Sequence, residues 1–349
     1  MSAELDCLLA EIGDQPSVVA RLLNEQVDAV REIARMIRKR DPSAIVLVAR
    51  GSSDNAAVYG RYLFEVCNRR LTSLAAPSGL TLYGRGPRLD QTAVIGVSQS
   101  GQGEDVVAYV REARAQGAIT VAIVNDETSP LAQTAEWVLA CLTGPEVSIP
   151  ATKTVTAQMT LLALLSSSLE QLDRAADALD GLPSALRAAL ELRPFAAELS
   201  RVLAPTTLGS VIGRGFAFPP ALEIALKLKE TSYTRAEPFS AADFLHGPVT
   251  LVEPNYSALL VDVGGRSSQA AVEIADAVRQ RGGQAAMIRA GELGAESDLP
   301  NLSLAVPVSE PIAPIVALVL GQLFAVELAL ARGLDPARPR GLRKVTSTR

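Results

Sequence analysis

A short apolar run that ends in Arg-Gly and opens into a helix occurs twice in this chain, and each copy is followed by the same order of elements. Ile45 to Ala49 leads into Arg50-Gly51, and Gly209 to Gly213 leads into Arg214-Gly215. At the same offset, Val94 to Val97 before Ser98 matches Ala258 to Val263 before Gly264-Gly265. The helical stretch ending at Gln116-Gly117 and followed by Ile119 to Val124 matches the one ending at Arg281-Gly282-Gly283 and followed by Ala285 to Ile288. Continuous apolar runs of this length, bounded by residues such as Pro42 and Gly51, read as parallel strands buried on both faces. Their alternation with helix-length amphipathic segments such as 104–116 predicts a doubly wound parallel α/β sheet. Agreement of three strand starts and two helix ends at one offset predicts duplication of one such domain, with two unrelated Rossmann-like domains as the alternative.

The length allows this, because 349 residues exceed the roughly 250 to 300 at which a single core stops growing. The expected layout is a helical segment over 1–30, a first domain over 31–170, a helical linker over 171–199, a second domain over 200–335 and a tail over 336–349. The Ala/Leu-rich stretch from Thr152 to Leu199 is expected to be helical, broken at Pro183 and Pro194, and to pack the halves together. Ile312 to Ala331 is the one run that resembles a membrane span, and Pro314, Gln322 and Glu327 interrupt it, so a buried core helix is expected and no membrane contact.

Composition narrows the partners. The net charge is −5, and no Lys/Arg block is interleaved with aromatics, so no nucleic-acid partner is expected and a small molecule is. Cys7, Cys67 and Cys141 are too scattered for a disulfide framework or a CxxC metal site, which predicts a reducing compartment and no metal. Glu4, Asp6 and Glu11 stand where an export signal would be basic and then apolar, so the expected location is cytoplasmic.

In open α/β sheets ligands bind at the carboxyl ends of strands, where helix N-termini aim free N–H groups at anions. Two loops here have the right chemistry: Arg50-Gly51-Ser52-Ser53-Asp54-Asn55 and Ser98-Gln99-Ser100-Gly101-Gln102-Gly103. Hydroxyls, glycines and a following helix suit a phosphate held without metal. Helix capping alone would also account for Ser and Gly there. Neither loop is GxGxxG and no GxxxxGK[ST] occurs, which disfavours NAD and ATP; no cofactor is expected. A third polar segment, from Gly144 to Thr154, follows the strand-like run Trp137 to Leu142. It either closes over the ligand with Thr152 or Lys153 facing the anion, or is a plain surface loop.

His246 is the only histidine in the chain, and its proton equilibrium lies near neutral pH. Upstream, Glu223, Lys227 and Glu230 share one helix face at i, i+4 and i+7, as catalytic groups or as a solvated ion-pair stripe. Aldose-ketose chemistry needs an acid to open a sugar ring and a base to move a proton between adjacent carbons, which a histidine and a carboxylate supply. A lysine assists by electrostatics or as an imine, and Lys227 and Lys344 are the candidates. Lys344 lies in Arg338-Pro339-Arg340-Gly341-Leu342-Arg343-Lys344, which also reads as a disordered basic end.

These residues together resemble the tandem sugar isomerase (SIS) domain family over nearly the whole chain. The resemblance rests on Gly51-Ser52-Ser53, Ser98-Gln99-Ser100-Gly101, Ala151-Thr152-Lys153, Ala225 to Glu230, His246-Gly247-Pro248 and Pro339 to Lys344. The same layout occurs in the isomerase half of glucosamine-6-phosphate synthase. The resemblance implies two flavodoxin-like SIS domains, a catalytic glutamate at Glu230, a ring-opening histidine at His246, a helix lysine at Lys227 and a tail lysine at Lys344. It places substrate contacts at Arg50, Gly51, Ser52, Ser53, Ser98, Gln99, Ser100, Gly103, Ala151, Thr152 and Lys153. It also implies a homodimer with a shared active site, the histidine in that family often coming from the neighbour, so that either subunit is open as the source of His246. Gly103 stands where the synthase has threonine and Ala151 where it has serine, so two hydroxyl contacts are missing. The chain opens Met1-Ser2-Ala3 where the synthase carries a cysteine nucleophile, so glutamine hydrolysis is not expected. The similarity leads most directly to a glucosamine-6-phosphate deaminase. A fructosamine-phosphate deglycase, another amino-sugar phosphate isomerase and a non-catalytic sugar-phosphate sensor stand as alternatives.

Overall fold

The computed structural model describes residues 2–170, 176–294, 297–342 and 344. Two five-stranded sheets form, and every strand pair in them is parallel. The first contains β1 (Ala44–Val48), β2 (Thr72–Leu74), β3 (Thr92–Ser98), β4 (Ile119–Val124) and β5 (Trp137–Ala140), in spatial order β2-β1-β3-β4-β5. The second contains β6 (Thr207–Gly213), β7 (Glu237–Ser240), β8 (Tyr256–Asp262), β9 (Gln284–Gly291) and β10 (Asn301–Ala305), in order β10-β9-β8-β6-β7. Read from the other edge, the second sheet repeats the strand order of the first. That order is flavodoxin-like, and it puts a switch point between β1 and β3 and another between β6 and β8. The duplication read from the sequence therefore extends to topology.

The chain divides into two compact units. One comprises Ser17–Glu146 and Lys153–Asp180 together with Lys344. Its central strands bury residues of both faces, as their unbroken apolar runs require. Val46, Val94 and Ala122 pack with Val106, Val107 and Val110 of the helix Glu104–Ala115. The helix Lys153–Glu170, buried around nearly its whole circumference, packs against the helices Ser52–Val66 and Val27–Arg40. Gly60 allows that approach, because a Cβ there would stand 3.1 Å from a methyl of Leu162.

The other unit comprises Met1–Pro16, Val147–Thr152 and Gly181–Leu342. At its centre is the helix Ala313–Ala331, long and apolar enough to cross a membrane but 89% buried inside the protein. It packs on the helices Phe218–Ser232, Leu182–Glu191 and Arg193–Leu203 and on β9. Its polar residues have partners: Gln15 Nε2 donates to Gln322 Oε1 at 2.8 Å, and Arg193 pairs with Glu327 at 2.6 Å. Gly321 matters because a Cβ there would lie 2.2 Å from Ile224. The helical stretch is broken at Pro183 and Pro194 as read from the sequence, and each proline lies in the first turn of the helix that begins there, Leu182–Glu191 and Arg193–Leu203. A first-turn N–H has no intrahelical acceptor, so proline loses no bond there and its fixed φ favours the helix.

Candidate functional site

The expected site residues fall into two groups, one in each unit. In the first unit, the loops after β1 and β3 lie on either side of the switch point. Gly51 has φ +59°, a conformation that favours glycine, and it caps the helix Ser52–Val66 without a side chain. Ser52 and Ser53 are thus helical residues and not caps, which removes the capping explanation for their hydroxyls. Ser53 Oγ accepts from Gln158 Nε2 at 3.0 Å. Arg50 is committed internally as well, its Nε and its terminal nitrogen each 2.7 Å from Asp105 Oδ2. Asp105 is buried, so this pair ties the β1 loop to the helix that follows β3. Burial pushes the Asp54 carboxyl above the usual carboxylate range, with the Arg50 charge opposing it.

In the second loop Ser98 Oγ accepts from Gly101 N at 3.0 Å, and Ser100 Oγ from Gln102 N at 3.3 Å. These bonds use oxygen lone pairs and leave the hydroxyl hydrogens to donate to an anion. Gly101 has φ +63°, and a Cβ on it would stand 2.1 Å from Ser129 Oγ. Gly103 is ordinary by comparison, with φ −62° and room for a Cβ at van der Waals distance, 3.5 Å from Asp105 Oδ1. The side chains of Ser52 and Gln99 are half-buried and make no hydrogen bond among the described residues.

The segment after β5 is tied to the second loop. Asn125 accepts from Thr143 N at 3.1 Å and donates to Gly144 O at 2.9 Å, while its own N–H bonds Gln99 O at 3.2 Å. Glu146, its side chain sealed from solvent, accepts from Thr154 N at 3.0 Å and from Lys344 Nζ at 2.8 Å. Lys344 is therefore held in place and not a loose basic end; Arg343 and residues 345–349 lie outside the described residues. Lys153 is buried at the start of its helix. Burial first, and then the Glu146 charge, drive the Cys141 thiol far above its usual value, so it stays protonated and inert.

In the second unit, Glu223, Lys227 and Glu230 do converge on one face of Phe218–Ser232. Lys227 Nζ lies 3.5 Å from Glu223 Oε1 and bonds Glu230 Oε2. The side chains of Glu223 and Lys227 are 1% and 3% exposed, against 20% for Glu230. A solvated ion-pair stripe is thereby ruled out, since only Glu230 reaches solvent. Lys227, Thr152 and Gln322 also line a small cavity of about 10 Å³, room for one water. Thr152 is buried and its carbonyl accepts from Gln322 Nε2 at 3.2 Å; Ala151 is half-buried beside it. Glu11, also buried, receives the N–H groups of Val147 and Ser148 in the same segment.

His246 follows the short helix Ala241–Leu245, which buried Phe244 anchors against Phe239 with ring centroids 5.7 Å apart. Its side chain is exposed and has no hydrogen-bond partner among the described residues. Glu146, Asp105 and Gln158 were not singled out from the sequence, and Glu11 only as an N-terminal acid. Nothing local marks them, because the side chains or N–H groups of Lys344, Arg50, Ser53, Val147 and Ser148 that they bind lie far off in the chain.

The SIS domain family matches residues 37–168 and 210–332. Over 347 residues the chain is 32% identical to a glutamine–fructose-6-phosphate aminotransferase [isomerizing] of Thermococcus kodakarensis, covering 97% of this chain and 57% of that protein. The chain thus spans little more than half the length of that relative. A structure from Silicibacter pomeroyi DSS-3, provisionally named a phosphosugar isomerase, superimposes with a TM-score of 0.87 at 32% identity, covering 95% of this chain and 99% of that one. Glucosamine-6-phosphate deaminase of Thermotoga maritima shares the fold at a TM-score of 0.74 and 20% identity, covering 98% and 100%. The two matched segments carry the two repeated sheets, each with its own switch point, and the chain belongs to the SIS domain family.

Proposed function

We propose that this chain is a sugar-phosphate isomerase that converts glucosamine 6-phosphate and water into fructose 6-phosphate and ammonia. The observation that carries the reading is the buried Glu223–Lys227–Glu230 cluster, which leaves one carboxylate at the surface of an otherwise sealed charge network. The named chemistry of the aminotransferase relatives and of the Silicibacter protein supports the substrate class.

In this reading the sugar phosphate sits against Ser52, Ser53, Ser98, Gln99 and Ser100, with helix N-termini supplying N–H donors. His246 protonates the ring oxygen and opens the pyranose. Glu230 removes the C2 proton and returns it at C1, so that the C1 aldehyde becomes a hydroxymethyl group and the C2 amine becomes an imine. Water adds at C2, ammonia leaves, and a C2 ketone remains. Lys227 keeps Glu230 oriented and offsets charge developing on the substrate. Lys344 supplies a second cation for the substrate. The exposure of His246 supports a homodimer in which one protomer's histidine completes its partner's site.

The test is ammonia release from glucosamine 6-phosphate read through a reductive coupling enzyme, with fructose 6-phosphate measured in parallel. Equal yields of both products support the reading. Turnover confined to fructosamine phosphates would instead make the chain a deglycase, and tight binding without turnover would make it a sensor.

A further inference from the structure

We infer that Glu146 is the positioning residue for Lys344, pinning the tail ammonium at the rim of the two serine loops. The inference rests on the proposed reading only for what Lys344 does there, not for how it is held.

Three observations in the first unit converge. Glu146 has no side-chain exposure, yet it takes Lys344 Nζ on one oxygen and Thr154 N, in the first turn of Lys153–Glu170, on the other. A sealed carboxylate needs cationic and N–H partners, and the helix N-terminus and the ammonium provide both. Second, Gln158 lies one turn further along that helix, on the same face as Thr154, and donates to Ser53 Oγ. The helix that receives Glu146 therefore also holds the first serine loop. Third, Asn125 joins Gly144, two residues before Glu146, to Gln99 of the second loop. Glu146 is fixed relative to both loops, and Lys344 inherits that placement. Lys344 itself lies in no strand or helix. Without the carboxylate, a long flexible side chain would lose the ion pair that fixes its ammonium.

Glu146→Gln keeps the shape and an acceptor for Thr154 N–H but removes the charge that holds Lys344. Three readouts test it. Tryptic cleavage after Lys344, followed by mass spectrometry, should accelerate about tenfold in Glu146→Gln while the rest of the digest is unchanged. Lys344→Met should lower the melting temperature by taking a cation from the buried carboxylate, and the double variant with Glu146→Gln should recover part of that loss. On glucosamine 6-phosphate, kcat should fall roughly 10- to 100-fold in each single variant with KM changed less than about threefold, and the double variant should be no worse than Lys344→Met. Glu146→Asp, retaining the charge on a shorter arm, should restore part of kcat.

Unchanged cleavage at Lys344, or additive melting and kcat effects, would overturn the inference. If Glu146→Gln does not fold, Lys344→Met alone decides: a melting temperature equal to wild type rejects the anchor. If wild type turns over no hexosamine phosphate while cleavage and melting behave as expected, the assigned reaction fails and the anchoring stands.

Discussion

Lys227 Nζ stands 3.5 Å from Glu223 Oε1, and the two side chains are 3% and 1% exposed. A pair this deep costs desolvation on both sides and is retained only where each charge has its partner. Lys227→Met is expected to destabilise the fold by about 3 to 5 kcal/mol, because it leaves a buried carboxylate without its cation. Adding Glu223→Leu should recover most of that loss in chemical denaturation. Turnover should stay lost in both variants, separating the catalytic role of the lysine from its structural one.

Glu230→Gln preserves shape and leaves Lys227 its buried partner Glu223. The expected result is a fall in kcat of roughly 10²- to 10⁴-fold, the usual share of a general base. Stability and the affinity for inorganic phosphate, measured by calorimetry, should be nearly unchanged, since Glu230 is the partly exposed member of the cluster.

His246→Ala removes an exposed side chain with no hydrogen-bond partner among the described residues, so its effect on stability should stay within about 0.5 kcal/mol. Activity should nevertheless collapse. Unfolding and refolding a mixture of His246→Ala and Glu230→Gln should regenerate activity if the site is shared between protomers, because some mixed dimers then carry one intact site. No recovery would place both groups in one chain.

Gly101→Ala should be among the most damaging single changes in the first unit. Its φ of +63° costs an L-residue about 1 to 2 kcal/mol, and the added Cβ would stand 2.1 Å from Ser129 Oγ. Denaturation should show the loss, and phosphate affinity should fall with it because the same turn aims the Ser98 and Ser100 hydroxyls.

Asp54 supplies a pH signature. Burial raises its carboxyl in the folded protein above the usual 3.8. Folding therefore favours the protonated form: the contribution is complete below the unfolded value and is lost as pH rises through the folded one. Asp54→Asn, which stays neutral, should melt higher than wild type at pH 7, and the gap should close as the pH is lowered below about 3.8. A constant gap across that range would reject this account.

The central strands were legible because a strand buried on both faces must be mostly apolar, and β1, β3, β4, β8 and β9 each carry a run of four or more apolar or small residues. The edge strands β2, β7 and β10 were not read: they are short and partly exposed, and β7 contains Pro238, which only an edge tolerates. The spacing of Glu223, Lys227 and Glu230 announced a shared face. Whether that face met solvent or core depended on what packs against Phe218–Ser232, chiefly the helix Ala313–Ala331.

Local pattern and the internal repeat by themselves determined the fold class, the duplication and the two serine loops, because hydrophobic period and turn chemistry act over a few residues. Which polar groups meet was decided only by tertiary structure. Glu146 and Lys344 are 198 positions apart, Ser53 and Gln158 are 105, and Arg50 and Asp105 are 55. Hydrogen bonds and ion pairs form between groups that folding brings within about 3 Å, and no periodicity along the chain encodes such a meeting.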